Sequence, residues 1–361
     1  MLRAALIGFP ATGKTTLFRL MTGAHEDRPA SHARGDATIG VAKVPDPRLD
    51  RLTAMYNPRK RVPATVEFAD LAAAGQAGAK ELLDVAAYRN ADALLHVVRL
   101  FRDETVPHPS GSIDARRDAR AMEDELILAD LAVVERRLER IERDLRKLPT
   151  ADLKREHAVL LECRPALEDG RPLRALGLQG DDLKRLRGFQ FLSAKPLLLV
   201  LNVDEADIGA MDAAVERSGL GEFVAGAAVR AVAVCAKIEL EIAQLEATDA
   251  AAFLADLGLA ASGLDRVIRA SYDLLGYMSF FTVGDDECRA WSIPRNTPAQ
   301  IAAGEIHSDI ARGFIRAEVV SYDHLVGRGS MAACKDHGEV RLEGKEYIVA
   351  DGDVINVRFA T

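Results

Sequence analysis

Short apolar runs separated by amphipathic segments dominate the first two thirds of the chain. Near-continuous apolar runs of this kind predict buried strands, at 2–7 (LRAALI), 66–71 (VEFADL), 93–100 (ALLHVVRL), 197–203 (LLLVLNV) and 229–236 (VRAVAVCA). Apolar strands that alternate with helices are typical of a parallel sheet covered on both faces. The pattern therefore predicts a doubly wound α/β domain, with its ligand at the carboxyl ends of the strands.

A charged helical insertion interrupts this domain between residues 112 and 192. Its apolar residues recur at spacings of three and four, which predicts the seam of a helical hairpin or coiled coil. The seam consists of Met122, Leu126, Ala129, Val133, Val134, Leu138, Ile141, Leu145 and Leu148. A second helix is predicted over 152–167. We expect an arm whose basic residues, interleaved with acids, favour a solvated face over an RNA contact.

From about residue 279 the pattern changes to short strands joined by turns. Strands are predicted at 280–283, 314–320, 347–349 and 354–359, with a turn at Asp351-Gly352. This pattern predicts a small, separate α+β domain. The predicted organisation is an α/β domain in two parts, 1–111 and 193–278, the helical insertion 112–192 and a C-terminal domain 279–361.

Composition narrows the class of protein. With 361 residues, 48% hydrophobic and 28% charged, the chain is expected to be globular, and its net charge of -8 argues against a surface that is basic throughout. The four cysteines are far apart and form no C-x-x-C pair, which favours a reduced, cytoplasmic protein. The apolar run 196–201 is too short to span a bilayer. We expect no membrane partner and no sequence-specific DNA partner.

Residues 8–16 read GFPATGKTT and match the phosphate-binding loop pattern G-x-x-x-x-G-K-[ST]. Gly8 and Gly13 let the backbone approach a phosphate closely, and the following helix N-terminus favours an anion. Lys14 supplies positive charge to the β- and γ-phosphates, and the Thr15 hydroxyl can bind Mg²⁺. Because a strand precedes this loop and a helix follows it, we predict a nucleoside triphosphate site.

Two further residues are expected near the metal. Asp70 closes the strand VEFAD, where its carboxylate can hold Mg²⁺ through a water beside Thr15. Thr38, in DATIG, is expected in the loop between the first helix and the next strand, where such loops close on the γ-phosphate and the metal. We predict a Mg²⁺-dependent switch with Lys14 and Asp70 as its catalytic residues.

The tetrapeptide Asn202-Val203-Asp204-Glu205 closes another predicted strand. Guanine-specific relatives of this fold carry N-K-x-D, whose last carboxylate accepts hydrogen bonds from guanine. Val203 and the longer Glu205 fit adenine better, and the Asn202 amide can pair with adenine's amine and a ring nitrogen. The backbone N–H of Ala236 is expected near the base. Glu205 could still accept from guanine, so a GTPase remains an alternative.

Several longer stretches, taken together with these motifs, resemble the Obg-like ATPase family, in its YchF subfamily of translation-factor-class P-loop NTPases. They are VPDPRLDRL (44–52), ADALLHVVRLF (91–101), AKPLLLVLNVDE (194–205), SFFTVGDDECRAW (279–291), GEIHSDIARGFIRAEVVSYD (304–323) and LEGKEYIVADGDVINVRF (342–359). The resemblance covers essentially the whole chain. It implies a nucleotide domain, a coiled-coil arm and a C-terminal TGS domain of β-grasp form.

The resemblance also implies an activity and its site. The family binds and hydrolyses ATP in preference to GTP, uses Mg²⁺, and associates with ribosomes and stress-response proteins. By this resemblance Thr15 and Thr38 attend Mg²⁺, and Asn202, Val203 and Glu205 line the base site. The implied phosphate contacts are Ala11, Thr12, Gly13, Lys14, Thr15 and Thr16.

The chain departs from the family pattern at the loop and after Asp70. Ala11 and Thr12 stand where the family usually has Asn and Val. Ala73 replaces the glycine whose N–H meets the γ-phosphate, and Ala74 stands where Ras-like enzymes carry a water-orienting Gln. We predict a divergent member with slow turnover. A nucleotide-gated binding module with negligible turnover is the alternative, and nothing indicates the acceptor pocket of a metabolic kinase.

Overall fold

The computed structural model describes residues 3–23, 37–71 and 88–360. The chain forms two compact units. The first contains the residues up to Val41 together with Glu67–Leu274, and the second contains Ala42–Val66 together with Leu275–Thr361. Within the described ranges, no helix is long and apolar enough to cross a membrane.

The strands and helices are numbered in chain order over the described residues. The strands are β1 (Arg3–Ile7), β2 (Ala37–Lys43), β3 (Lys60–Val62), β4 (Thr65–Leu71), β5 (Ala93–Arg99), β6 (Leu197–Asn202), β7 (Val229–Val234), β8 (Tyr277–Thr282), β9 (Glu287–Pro294), β10 (Phe314–Ser321), β11 (Arg341–Glu343) and β12 (Asp353–Phe359). The α-helices are α1 (Lys14–Thr22), α2 (Pro47–Tyr56), α3 (Ala115–Lys147), α4 (Ala151–Glu168), α5 (Gly180–Leu186), α6 (Ala214–Arg217), α7 (Gly221–Val224), α8 (Ala236–Ile242), α9 (Ala247–Asp256), α10 (Gly263–Leu274), α11 (Ala299–Ile306), α12 (Ser308–Arg312), α13 (Tyr322–Arg328) and α14 (Met331–Asp336). Short 3₁₀ turns occur at Leu173–Leu176, Arg187–Phe189 and Glu205–Ala213.

A six-stranded sheet in the order β2-β4-β1-β5-β6-β7 forms the centre of the first unit. From β4 to β7, neighbouring strands pair in parallel. Every residue of β5 and of β6 is buried, as expected for strands covered on both faces. The predicted doubly wound α/β fold is confirmed. The phosphate-loop sequence lies at the carboxyl end of β1, in the middle of this sheet.

The predicted arm is present as two consecutive helices. Helix α3 has 33 residues, a length of about 50 Å, and Met122 near its start packs in the core of the sheet. Farther along, Val134 and Ile141 share an apolar cluster with Leu160 of α4. The predicted seam is wrong at Leu148, because α3 ends at Lys147 and the Leu148 side chain is 68% exposed.

The second unit contains a sheet in the order β11-β10-β12-β8-β9-β3. β8 and β9 form an antiparallel hairpin, α11 follows, and β12 returns to pair in parallel with β8, an arrangement of β-grasp form. This confirms the predicted α+β domain. The predicted strand at 347–349 is wrong, since only Ile348 forms an isolated bridge, to Pro298. β9 was not predicted, because its polar–apolar alternation changes phase at Trp291-Ser292.

Residues 42–66 belong to the second unit, although the predicted organisation placed them in the α/β domain. β3 adds a parallel strand to β9. In α2, the Arg48 guanidinium donates to Asp351 at 3.1 Å and lies 5.2 Å from the centre of the Phe281 ring. The sequence gives no sign of this grouping, because each contact joins residues more than two hundred positions apart.

Candidate nucleotide-binding site

The loop between β1 and α1 adopts a conformation that requires glycine at two of its positions. Gly8 has φ 143°, and a Cβ there would lie 2.6 Å from the Val97 carbonyl oxygen. Gly13 has φ 93°, and a Cβ there would lie 2.5 Å from Asn202 Nδ2. Both contacts are shorter than any real Cβ tolerates. The predicted glycine roles therefore follow from backbone geometry and from close neighbours.

Lys14 folds back over the loop that precedes it. Its Nζ donates to the carbonyl oxygens of Gly8 and Phe9, both at 2.7 Å, and the residue is only 9% exposed. Burial lowers the pKa of this ammonium to about 8, while the Asp70 carboxylate opposes the shift. The loop thus holds a poorly solvated positive charge, an arrangement that a phosphate would stabilise.

The other predicted phosphate contacts lie in or beside the first turn of α1. Thr12 is buried and its hydroxyl donates to the Phe9 carbonyl at 3.1 Å, so its side chain supports the loop from inside. Thr15 is exposed and Thr16 is half-buried. Ala11 has φ 61°, a left-handed conformation that costs a non-glycine residue about 1–2 kcal/mol. An asparagine tolerates this conformation better than an alanine does, which is a physical reason to expect Asn in the family pattern.

All three residues predicted to bind Mg²⁺, Thr15, Thr38 and Asp70, are described. Asp70 is 5% exposed at the end of β4, close enough to Lys14 to affect its pKa, and Thr15 follows Lys14 in the first turn of α1. One carboxylate and one hydroxyl suit Mg²⁺, which keeps waters and binds substrate phosphates for its remaining positions. Thr38 lies within β2, so its predicted place in a loop is wrong: the alternation in ATIGVAK extends the strand. Ala73 and Ala74 lie outside the described residues.

Asn202 at the end of β6 joins three parts of the site. Its Nδ2 donates to the Thr12 carbonyl at 3.0 Å, and its Oδ1 accepts the Ala236 N–H at 3.0 Å. The Ala236 N–H thus donates to Asn202, and its place near the base stays a prediction. One amide hydrogen of Asn202 remains for a ring nitrogen, because a primary amide has two donors.

The predicted base-selecting carboxylate has a partner of its own. Glu205 Oε2 accepts from Lys237 Nζ at 2.7 Å, and this hydrogen bond raises the pKa of Lys237. Val203 is 2% exposed and lies in the core of the first unit. A buried valine cannot present the long cationic chain that N-K-x-D proteins place beside guanine. A role for Lys237 was not predicted from the sequence, because its ion pair with Glu205 joins the segment after β6 to the start of α8.

His96 is a second residue that the sequence reading missed. It is 1% exposed within β5, and its Cδ2 lies 3.5 Å from the position that a Cβ on Gly8 would take. Burial, and then Lys14, lower the pKa of His96 to about 3, so the imidazole is neutral beneath the loop. A histidine inside the apolar run ALLHVVRL is the sequence signal that points to this position.

Comparisons with known proteins agree with this geometry. The sequence model of the YchF-GTPase_C family, described as "Protein of unknown function (DUF933)", matches residues 277–360. The "Ribosome-binding ATPase YchF" of Bacillus subtilis (strain 168) is 41% identical to the chain over 99% of both sequences. The chain belongs to the YchF family.

Other YchF proteins match over the same extent. The "Ribosome-binding ATPase YchF" of Escherichia coli O157:H7 is 37% identical over 99% of both chains. The structure titled "Structure of the Schizosaccharomyces pombe YchF GTPase" matches with a TM-score of 0.83 and 27% identity, covering 99% of this chain and 97% of that one. The YchF likeness therefore spans the α/β unit, the helical arm and the C-terminal unit, which confirms the resemblance inferred from the motifs.

Proposed function

We propose that the protein is a Mg²⁺-dependent switch that binds ATP, hydrolyses it slowly and associates with ribosomes in the cytoplasm. The observation that carries this proposal is the Lys14 ammonium, buried against two loop carbonyls with its pKa lowered to about 8. A positive charge with so little access to water is stabilised by a nearby anion, and the triphosphate of a bound nucleotide is such an anion. The names of its relatives support ribosome binding and nucleotide hydrolysis.

The pairing of Glu205 with Lys237 supports adenine over guanine. Guanine recognition needs a carboxylate that is free to accept from the ring N–H and the exocyclic amine. Here that carboxylate already accepts from Lys237 at 2.7 Å, so guanine must compete with an ammonium. Adenine lacks guanine's ring N–H and 2-amino group, so it needs no free carboxylate at this position. We therefore propose ATP as the nucleotide, with GTP as the weaker ligand.

Slow turnover and a role for Thr15, Thr38 and Asp70 at Mg²⁺ are parts of the same proposal. Ala74 supplies no side chain that could orient a water, and an alanine at position 73 restricts the backbone that would meet the γ-phosphate. These two alanines also favour the second candidate, a binding module gated by nucleotide with negligible turnover. Stress-response partners stay a prediction of the resemblance.

Phosphate release and ribosome sedimentation test the proposal together. Purified protein with ATP and Mg²⁺ is expected to release phosphate faster than a Lys14→Ala variant, and to sediment with ribosomes to different extents with ATP and with ADP. Turnover equal to that of Lys14→Ala, with sedimentation still dependent on nucleotide, selects the binding module. If the protein shows no turnover and its sedimentation with ribosomes is the same with ATP and with ADP, both the slow ATPase and the binding module are contradicted.

A Lys237→Met variant is expected to lower the preference for ATP over GTP by about tenfold, because it frees the Glu205 carboxylate to accept from guanine. Competition binding with both nucleotides measures the ratio. Lys184→Met is the matched control, since it removes an exposed ion pair to Asp181 elsewhere in the first unit. An unchanged ratio in Lys237→Met would show that the pairing does not decide base choice.

A further inference from the structure

Strand β12 loses one of its two neighbours halfway along its length. It pairs with β10 from Asp353 to Phe359, but with β8 only where Val354 lies opposite Phe281. β8 ends at Thr282. Within residues 277–360, all of which are described, Asn356–Phe359 therefore has a paired strand on the β10 side alone.

An unpaired strand edge is a template for another strand. Backbone N–H and C=O groups point alternately to the two sides of a strand, and an edge leaves one row of them without a strand partner. Four residues extend this edge for about 14 Å, enough to pair with a short extended peptide.

The open edge of β12 lies along a groove. A cavity of about 590 Å³ includes Asn356, Val357 and Phe359 in its lining, and a second of about 690 Å³ shares Ile310 and Phe359 with it. Because they share these two lining residues, the two cavities adjoin and together make up the groove, and each alone has the size that ligand sites usually have.

The two walls of the groove differ in chemistry. Ile306 and Ile310, which pack against the core on the α11 side, make one wall apolar. The other wall carries Lys335 together with Glu318, a carboxylate that is 4% exposed. Arg358 pairs with this same Glu318 carboxylate, and Lys335 lies 3.5 Å from it.

These charges leave the second wall positive. Two cations share the single Glu318 carboxylate, and Lys335 is 52% exposed and so reaches solvent. At the far end of the groove, Asp309 and Arg312 pair with each other and add no net charge. The net positive charge of this wall favours an acidic ligand there, against the negative charge of the protein as a whole.

We propose that this groove binds an extended, acidic peptide segment of a partner protein, which adds as a strand beside Asn356–Phe359. Alternate side chains of a strand face opposite ways. Apolar residues of the peptide lie against Ile306 and Ile310, and the intervening acidic residues meet Lys335. This site is separate from the nucleotide site and does not depend on the function proposed for it.

Peptide binding to the full chain tests the proposal, with fluorescence anisotropy as the measurement. The probe is a labelled seven-residue peptide, EVEVEVE, and its comparisons are KVKVKVK and the proline-interrupted EVEPEVE. We expect EVEVEVE to bind at least about tenfold more tightly than either, because lysines repel Lys335 and proline removes a backbone donor. Hydrogen exchange of the 356–359 amides is expected to slow when EVEVEVE binds.

Two variants and one control locate the site. Lys335→Glu is expected to weaken EVEVEVE binding about tenfold, whereas Lys345→Glu, an exposed lysine of the same unit outside the groove, leaves it unchanged. Phe359→Ser removes part of the apolar lining from a side chain that is 42% exposed, and is expected to weaken binding without unfolding the unit.

Four results would overturn the proposal. They are no binding of EVEVEVE up to about 1 mM, equal binding of EVEPEVE, indifference to both Lys335→Glu and Phe359→Ser, and preferential binding of an eight-nucleotide oligouridylate that depends on Lys335. The last result would identify the groove as a nucleic-acid site.

Discussion

Replacing Lys14 with methionine is expected to abolish nucleotide binding and to make the nucleotide-free protein more stable. Loss of the ammonium that faces the phosphates should weaken ATP binding at least about 100-fold, about 2.7 kcal/mol. The gain in stability follows from the Lys14 pKa of about 8, against an ordinary value of 10.5. Removing this desolvated charge is expected to raise the free energy of unfolding by about 1–3 kcal/mol at pH 7. Calorimetry with ATP and thermal unfolding without it measure the two effects.

Lys195 provides the matched control. Its Nζ also donates to two backbone carbonyls, those of Arg89 and Ala91, and burial lowers its pKa as well. Lys195→Met should therefore leave ATP affinity unchanged. If it weakens ATP binding as much as Lys14→Met does, the loss reflects damage to the fold and the assignment of Lys14 is wrong.

The pH dependence of stability and of ATP affinity provides a further test of the role of Lys14. Between pH 8 and 10.5 the unfolded chain keeps the Lys14 proton that the folded chain releases, so the stabilising effect of Lys14→Met should shrink as pH rises through this window. ATP affinity of the unmodified protein should fall over the same range, because phosphate binds the protonated lysine.

Replacing Asn202 with alanine is expected to destabilise the first unit and to weaken nucleotide binding. The variant leaves the Thr12 carbonyl and the Ala236 N–H without their amide partner in a buried position. Each lost partner costs about 1–3 kcal/mol, so the free energy of unfolding should fall by about 2–6 kcal/mol. ATP affinity should fall at least about tenfold, because the Asn202 amide fixes the loop that holds the phosphates.

Asn356→Ala serves as the comparison for this variant. Its amide donates to Glu318 in the second unit at 3.2 Å, and Asn356 is not one of the residues predicted for the nucleotide site. Chemical denaturation and ATP titration of both variants should separate them clearly. Equal ATP affinities for Asn202→Ala and the unmodified protein would contradict the idea that this amide positions the loop.

The parts of the site that the sequence predicted are those that local backbone geometry determines. Gly8, Gly13 and Lys14 lie within seven residues of one another, and their spacing alone defines a loop that cradles phosphate. Likewise, the mostly apolar runs were sufficient to identify β5 and β6, because strands buried on both faces are rich in apolar residues even where they hold a His96 or an Asn202.

The parts that the sequence did not predict depend on contacts between distant positions. Asn202 bonds a carbonyl 190 residues away, and Glu205 pairs with a lysine 32 residues away. Neither partner is implied by a local pattern. The wrong prediction for Thr38 has a different cause. The sequence does not distinguish a residue near the start of a strand from a residue in the loop before it.

The grouping of residues 42–66 with the C-terminal unit affects how this protein can be divided. A fragment that begins at residue 275 lacks Leu52, whose carbonyl lies 3.9 Å from the buried Cys288 thiol, and it lacks the guanidinium that bonds Asp351. Such a fragment would expose apolar surface that α2 normally covers. Transplanting the C-terminal unit into another protein therefore requires two separate pieces of chain, and exchange of the tail alone should yield insoluble material.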